Sequence, residues 1–88
     1  MKGESMDQPK VFLYALSTCG HCRNTKALLN DLGVSYDSVD VDKAEGDERT
    51  ALIEEVKQYN PACTFPTLII DGQVIVGFRK DDIQEALA

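Results

Sequence analysis

The stretch that decides the fold is KVFLYALSTCGHCRNTKALLNDLG, residues 10–33. Its first half is a continuous apolar run rich in strand-forming residues, which predicts a central β-strand covered on both faces. Its second half changes to helical spacing, with Leu28 and Leu32 one turn apart and Gly33 as the stop signal. Two cysteines three positions apart lie where the predicted strand gives way to the predicted helix.

Two further segments continue this alternation of strand and helix. VSYDSVDVD, residues 34–42, alternates weakly between apolar and polar residues and predicts a second, edge-like strand. GDERTALIEEVKQYN, residues 46–60, predicts a helix that Asp47 caps and that Asn60-Pro61 ends.

The C-terminal part predicts a hairpin and a last helix. TLIIDGQVIVG, residues 67–77, contains two strands joined by Asp71-Gly72, a strong hairpin signal. KDDIQEALA, residues 80–88, has acids in the first turn of a predicted helix. The element order is β-α-β-α-β-β-α, with a parallel first βαβ unit and an antiparallel hairpin. The predicted fold class is α/β, a four-stranded mixed sheet with helices packed on both faces.

Length, charge and cysteine number restrict the function classes. The 88 residues suit one domain, and the net charge of −6 argues against nucleic acid or a membrane surface as a partner. Residues 1–9 lack the apolar core of a secretory signal, so we expect a disordered N-terminal lead-in there. Three cysteines are an odd number, which argues against a secreted disulfide framework and for a cytoplasmic protein.

The negative charge is concentrated between Asp37 and Glu48, where six acids accompany a single lysine. Such a run either forms a solvated edge that aids solubility or provides a docking face for a basic partner. The sequence leaves both interpretations open.

The cysteine pair has the spacing and position of a redox-active dithiol. Cys19 falls at the predicted start of the first helix, where unpaired N–H groups and the helix dipole stabilise a thiolate. One helical turn brings Cys22 beside it, so Cys19 can attack a disulfide and Cys22 can resolve the mixed disulfide. We expect Cys19 to be the more exposed cysteine, with Gly20 leaving room for the substrate.

Cationic groups surround the pair within a turn and a half of helix. His21, Arg23 and Lys26 oppose the acidic trend of the chain and would favour a thiolate. His21, the single histidine, is interpreted as tuning the thiolate, with an ordinary surface residue or a metal ligand as alternatives.

The segment Thr64-Phe65-Pro66-Thr67 lies just ahead of the third predicted strand, and its proline marks a strand entrance. Together with the CxxC motif, the Asp71-Gly72 hairpin and the following GFRKDD, it resembles the thioredoxin superfamily, and its glutaredoxin branch most closely. The resemblance covers residues 10–88 as one glutaredoxin-like domain. It implies a cis-proline that faces the cysteines and a substrate groove lined by the residues Gly20, Thr64, Phe65, Pro66, Gly77, Phe78 and Arg79.

Two departures bear on the electron donor. The dipeptide between the cysteines is Gly-His, as in protein disulfide isomerases, rather than the Pro-Tyr of typical glutaredoxins. Where glutaredoxins have Gly-Gly and an acidic pair that holds glutathione, this chain has Val76-Gly77 and then Phe78-Arg79-Lys80, which is similar to NrdH-redoxins. The resemblance implies disulfide-containing proteins as substrates, with glutathione or a reductase as the donor. It implies no tightly bound cofactor and a monomer.

The third cysteine, Cys63, precedes the proline segment. It is interpreted as a buried small residue, with a secondary redox or glutathionylation site as an alternative. A metal-binding module is the competing function class. In it Cys63 would join Cys19, Cys22 and His21 in a zinc site, or the cysteines would bind an iron–sulfur cluster.

Overall fold

The computed structural model describes residues 10–88, so the expected lead-in at residues 1–9 lies outside the described part of the chain. The elements follow the predicted order, with one additional 3₁₀ turn at Val41–Lys43. Four strands and three helices have the following bounds: β1 Val11–Ala15, α1 Gly20–Asp31, β2 Asp37–Asp40, α2 Gly46–Tyr59, β3 Thr67–Ile70, β4 Gln73–Val76 and α3 Lys80–Leu87.

The sheet is mixed, in the order β2-β1-β3-β4. β1 pairs parallel with β2 and antiparallel with β3, and β3 pairs antiparallel with β4. The predicted central strand and edge strand are therefore confirmed. The hairpin is also confirmed. Asp71 and Gly72 both have positive φ, 48° and 86°, which is the backbone of a type I′ turn.

The side chains of β1 alternate between the two faces of the sheet, so the core has two layers. Val11, Leu13 and Ala15 face one side, where they pack with residues of α1 and α3 such as Leu29 and Ile83. The other side, formed around Tyr14 and Phe12, packs against α2. Helices thus cover both faces of the sheet, and the predicted fold class is correct.

Of the two helix-end predictions, the cap of α2 needs correction and the stop of α1 is confirmed. Glu45, not Asp47, is the N-cap of α2, because the helix already begins at Gly46. From the first turn Asp47 can still interact favourably with the helix dipole. α1 ends at Asp31 with Leu32 as its C-cap, and Gly33 follows at a φ of 70°, as a helix stop requires. Leu28 is buried, whereas Leu32 is 41% exposed.

Within residues 10–88, no helix has the length and apolar character needed to cross a membrane.

Candidate active site

The first half of the site is the turn that joins β1 to α1. Cys19 is the N-cap of α1, in extended backbone conformation, and its N–H donates to the Leu16 carbonyl at 3.2 Å. Its sulfur accepts the N–H of Cys22 at 3.2 Å, so the thiol takes the role that a serine or aspartate side chain has at other N-caps. The bond places the sulfur over the positive end of the helix, where a thiolate is stabilised.

The two cysteines have different environments. Cys22 is only 1% exposed and packs in the core layer beneath α1, whereas Cys19 is half-buried. Burial, and then the hydrogen bond with Cys19, raise the pKa of Cys22 to about 11, although the positive charge of Lys26 opposes the shift. The expectation that Cys19 is the more exposed cysteine is confirmed.

The second half of the site is the segment of residues 61–66, here called the Pro66 loop. The Phe65–Pro66 peptide bond is cis, as the resemblance implied. The Cys19 sulfur lies 4.0 Å from the Phe65 carbonyl oxygen, which brings together two residues 46 positions apart. Gly77, whose N–H donates to the Pro66 carbonyl at 2.9 Å, joins the end of β4 to the same loop.

The other residues expected in the site are more dispersed. Phe78 packs partly buried against the core layer beneath α1 and α3. Arg79 is exposed, and its Nε donates back to the Val76 carbonyl at 3.1 Å. Thr64 is exposed at the loop.

Gly20 and His21 are exposed in the first turn of α1. The His21 carbonyl accepts a hydrogen bond from the Thr25 hydroxyl at 2.9 Å. Apart from its chain neighbours and the backbone of α1, a Cβ added at Gly20 would meet no atom nearer than the Arg23 guanidinium, at 3.9 Å, so Gly20 lies at an open position.

The sequence did not reveal that Asn60 anchors the Pro66 loop. Its side chain, in a residue only 5% exposed, donates to the Thr64 carbonyl, the Thr64 hydroxyl and the Thr67 hydroxyl at 3.0–3.1 Å. Its amide oxygen accepts the Ala62 N–H at 3.2 Å. In the sequence, the only available signal was an asparagine before a proline, which indicates a helix end.

Two acids of the acidic run also brace the cysteine turn. Asp42 accepts the Ser17 N–H at 2.9 Å and the Ser17 hydroxyl at 2.5 Å, and these bonds lower the pKa of Asp42. Asp40 pairs with Lys26 of α1 at 3.3 Å. The run is therefore neither a wholly solvated edge nor simply a docking face.

The structure gives no support to the metal-binding alternative. Among residues 10–88, no three His, Cys, Asp or Glu side chains converge on a point that could hold a metal ion. Cys63 is half-buried rather than fully buried, and it packs in the layer against α2, whereas Cys19 and Cys22 pack in the other layer.

Comparisons with known proteins agree with this geometry. The glutaredoxin family model matches residues 11–75. A glutaredoxin-like 8.6 kDa protein of the rubredoxin operon of Clostridium pasteurianum is 32% identical over 88% of this chain and 96% of its own length. Glutaredoxin 3 of Escherichia coli K12 is 34% identical over 76% of this chain and 75% of its own. The crystal structure of Methanosarcina acetivorans methanoredoxin superposes with a TM-score of 0.87 at 44% identity, covering 92% of this chain and 86% of that one.

Proposed function

Because this chain belongs to the glutaredoxin family of thiol–disulfide oxidoreductases, we propose that it reduces protein and mixed disulfides by a dithiol mechanism through Cys19 and Cys22. One observation carries the proposal. The half-buried Cys19 sulfur caps α1 and accepts the N–H of the fully buried Cys22. The nucleophile is therefore within reach of a substrate, and the resolving thiol is shielded from it.

The chemistry runs in two exchanges. The Cys19 thiolate attacks one sulfur of the substrate disulfide, and the other substrate sulfur leaves as a thiolate that takes a proton from solvent. Cys22 then loses its proton and attacks the Cys19 sulfur, which releases the second substrate sulfur as a thiol. The substrate gains two electrons and two protons, and Cys19 and Cys22 are left as a disulfide.

The neighbouring residues have supporting roles in this proposal. The N–H groups of the first turn of α1 stabilise the Cys19 thiolate, and His21 adds positive charge there when it is protonated. Phe65 lines the substrate groove opposite the sulfur, the fully buried Pro66 lies behind that wall, and Gly20 leaves the groove open. Gly77 supports the groove from β4, while Thr64, Phe78 and Arg79 flank it, and Arg79 contributes charge toward a partner.

Glutathione or a dithiol reductase returns the pair to the reduced state by the reverse exchange. The proposed enzyme is a monomer, as the resemblance to glutaredoxins implies. An odd number of cysteines, three, argues against a disulfide framework and for a reducing compartment, so the proposed location is the cytoplasm.

The test is turnover with glutathione, glutathione reductase, NADPH and bis(2-hydroxyethyl) disulfide. Wild type should consume NADPH, and Cys19→Ser should fall to the background rate because the attacking thiolate is gone. Cys63→Ser is the matched control, since it removes a thiol that packs in the other core layer. Turnover that survives in Cys19→Ser would contradict the proposal.

A second experiment identifies the electron donor. If wild type is idle with glutathione but reduces the same disulfide when dithiothreitol supplies electrons, the dithiol chemistry stands and a reductase is the donor. An enzyme idle with both donors would overturn the proposed function.

A further inference from the structure

Asn60 and Thr67 form a small buried network behind the Pro66 loop. Asn60 is the C-cap of α2 and Thr67 is the first residue of β3, and both are at most 5% exposed. Their side chains meet at 3.1 Å, where the Asn60 amide donates to the Thr67 hydroxyl. The loop is thus joined to a helix on one side and to the central part of the sheet on the other.

Both side chains converge on one backbone atom, the carbonyl oxygen of Thr64. The Thr67 hydroxyl donates to it at 2.7 Å, and the Asn60 amide nitrogen donates at 3.1 Å. Two donors on one carbonyl fix the orientation of the peptide unit between Thr64 and Phe65, because that unit is planar and rotates as one piece.

The orientation of this peptide unit decides where the Phe65 N–H points. In a trans peptide the C=O and N–H bonds are directed to opposite sides, so a Thr64 carbonyl that accepts from Asn60 and Thr67 turns the Phe65 N–H away from those two side chains. No acceptor among residues 10–88 pairs with that N–H. On the same residue, the Phe65 carbonyl lies 4.0 Å from the Cys19 sulfur.

We propose that Asn60 and Thr67 are positioning residues for extended substrates: they hold the Phe65 backbone in the orientation that pairs with a disulfide-containing peptide at Cys19. This inference rests on the proposed function, because it concerns the same groove. It predicts that the two side chains affect peptide disulfides more than small disulfides. A peptide disulfide needs the oriented backbone, whereas a small disulfide such as bis(2-hydroxyethyl) disulfide needs little more than the Cys19 sulfur.

The experiment compares Thr67→Val with wild type in single turnover. Fully reduced protein is mixed with a ten-residue peptide that carries one internal disulfide, or with bis(2-hydroxyethyl) disulfide, and the second-order rate constants are measured. Valine keeps the size of threonine and removes the hydroxyl. We expect the peptide rate constant to fall about tenfold, equivalent to about 1.4 kcal/mol, while the small-disulfide rate constant stays within about twofold.

Two matched variants separate positioning from general destabilisation. Thr67→Ser keeps the hydroxyl and should restore the ratio of the two rate constants to the wild-type value. Thr50→Val removes a similar hydroxyl bond, to the Gly46 carbonyl at 3.3 Å, on an exposed part of α2, and should leave the ratio unchanged. If Thr67→Val does not fold, Asn60→Asp is measured in its place, since it replaces the donating amide with an acceptor of the same shape.

The outcomes distinguish this inference from the function beneath it. If wild type reduces both disulfides and Thr67→Val lowers the melting temperature without changing the ratio, the network is merely structural and the inference is wrong. If wild type reduces neither disulfide, the proposed function itself has failed. Alkylation of Cys19 by iodoacetamide should proceed at the wild-type rate in Thr67→Val, and slower alkylation would show that the nucleophile, not the groove, was altered.

Discussion

The cysteine turn and the Pro66 loop form the two sides of one site, but different contacts hold them in place. The turn is closed by bonds between near neighbours, from Cys19 to Leu16 and from Cys22 and Arg23 back to Cys19. The loop depends on its anchors in α2 and β3 and on the Gly77 N–H at the end of β4. A short motif therefore specifies the reactive sulfur, whereas the surface facing it requires most of the fold.

The largest expected effect comes from breaking the chemistry of the turn without disturbing the loop. Cys22→Ser should still attack a peptide disulfide through Cys19 but should not release the product, because no thiol remains to resolve the mixed disulfide. Mass spectrometry should then find one peptide bound per protein molecule. With wild type the same reaction should end in free peptide and a Cys19–Cys22 disulfide. Rapid release of reduced peptide by Cys22→Ser in the absence of other thiols would contradict the assigned role.

A smaller effect is expected at the opposite end of the β3–β4 hairpin. Gly72→Ala places a side chain at φ +86°, which should cost about 1–2 kcal/mol of folding free energy. The groove should be unaffected, because the strands separate this turn from the Pro66 loop. Urea denaturation measures the loss, and the peptide rate constant from single turnover should match wild type. A reduced peptide rate in folded Gly72→Ala would show that the loop responds to the whole hairpin.

The smallest effect tests how far the cysteine turn depends on a distant residue. Hydrogen bonds from Ser17 lower the pKa of Asp42 below its ordinary value of 3.8. A carboxyl whose folded pKa is depressed stabilises the fold above its unfolded pKa, and the contribution is lost as the pH falls through the folded pKa. Wild type should therefore be modestly more stable than Asp42→Asn at about pH 6, and the difference should be smaller at about pH 2, well below the ordinary carboxyl value.

Denaturation midpoints of the two proteins at both pH values check this prediction. Asp37→Asn is the control, because Asp37 is an exposed acid at the start of β2, away from any helix N-terminus. A stability difference between wild type and Asp42→Asn that persists unchanged at low pH would contradict a role for the ionised carboxylate.

These contrasts indicate which parts of the molecule were accessible from the sequence. Strand and helix order followed from apolar periodicity, and the hairpin followed from Asp71-Gly72, because two residues that accept positive φ specify the turn locally. The end of α1 followed from Gly33, because a residue that accepts positive φ stops a helix locally. The start of α2 was less accurate, with Glu45 in place of Asp47 as the cap, since helix ends are set by competing local bonds.

By itself, the sequence determined the α/β order, the placement of the two cysteines at a helix start and the difference in exposure between Cys19 and Cys22. Each follows from residue types within one or two helical turns. Tertiary structure alone decided that Asn60 and Thr67 hold the loop and that Asp42 braces the turn. Those contacts join residues whose spacing carries no periodic signal, so they become defined only when the sheet brings distant segments together.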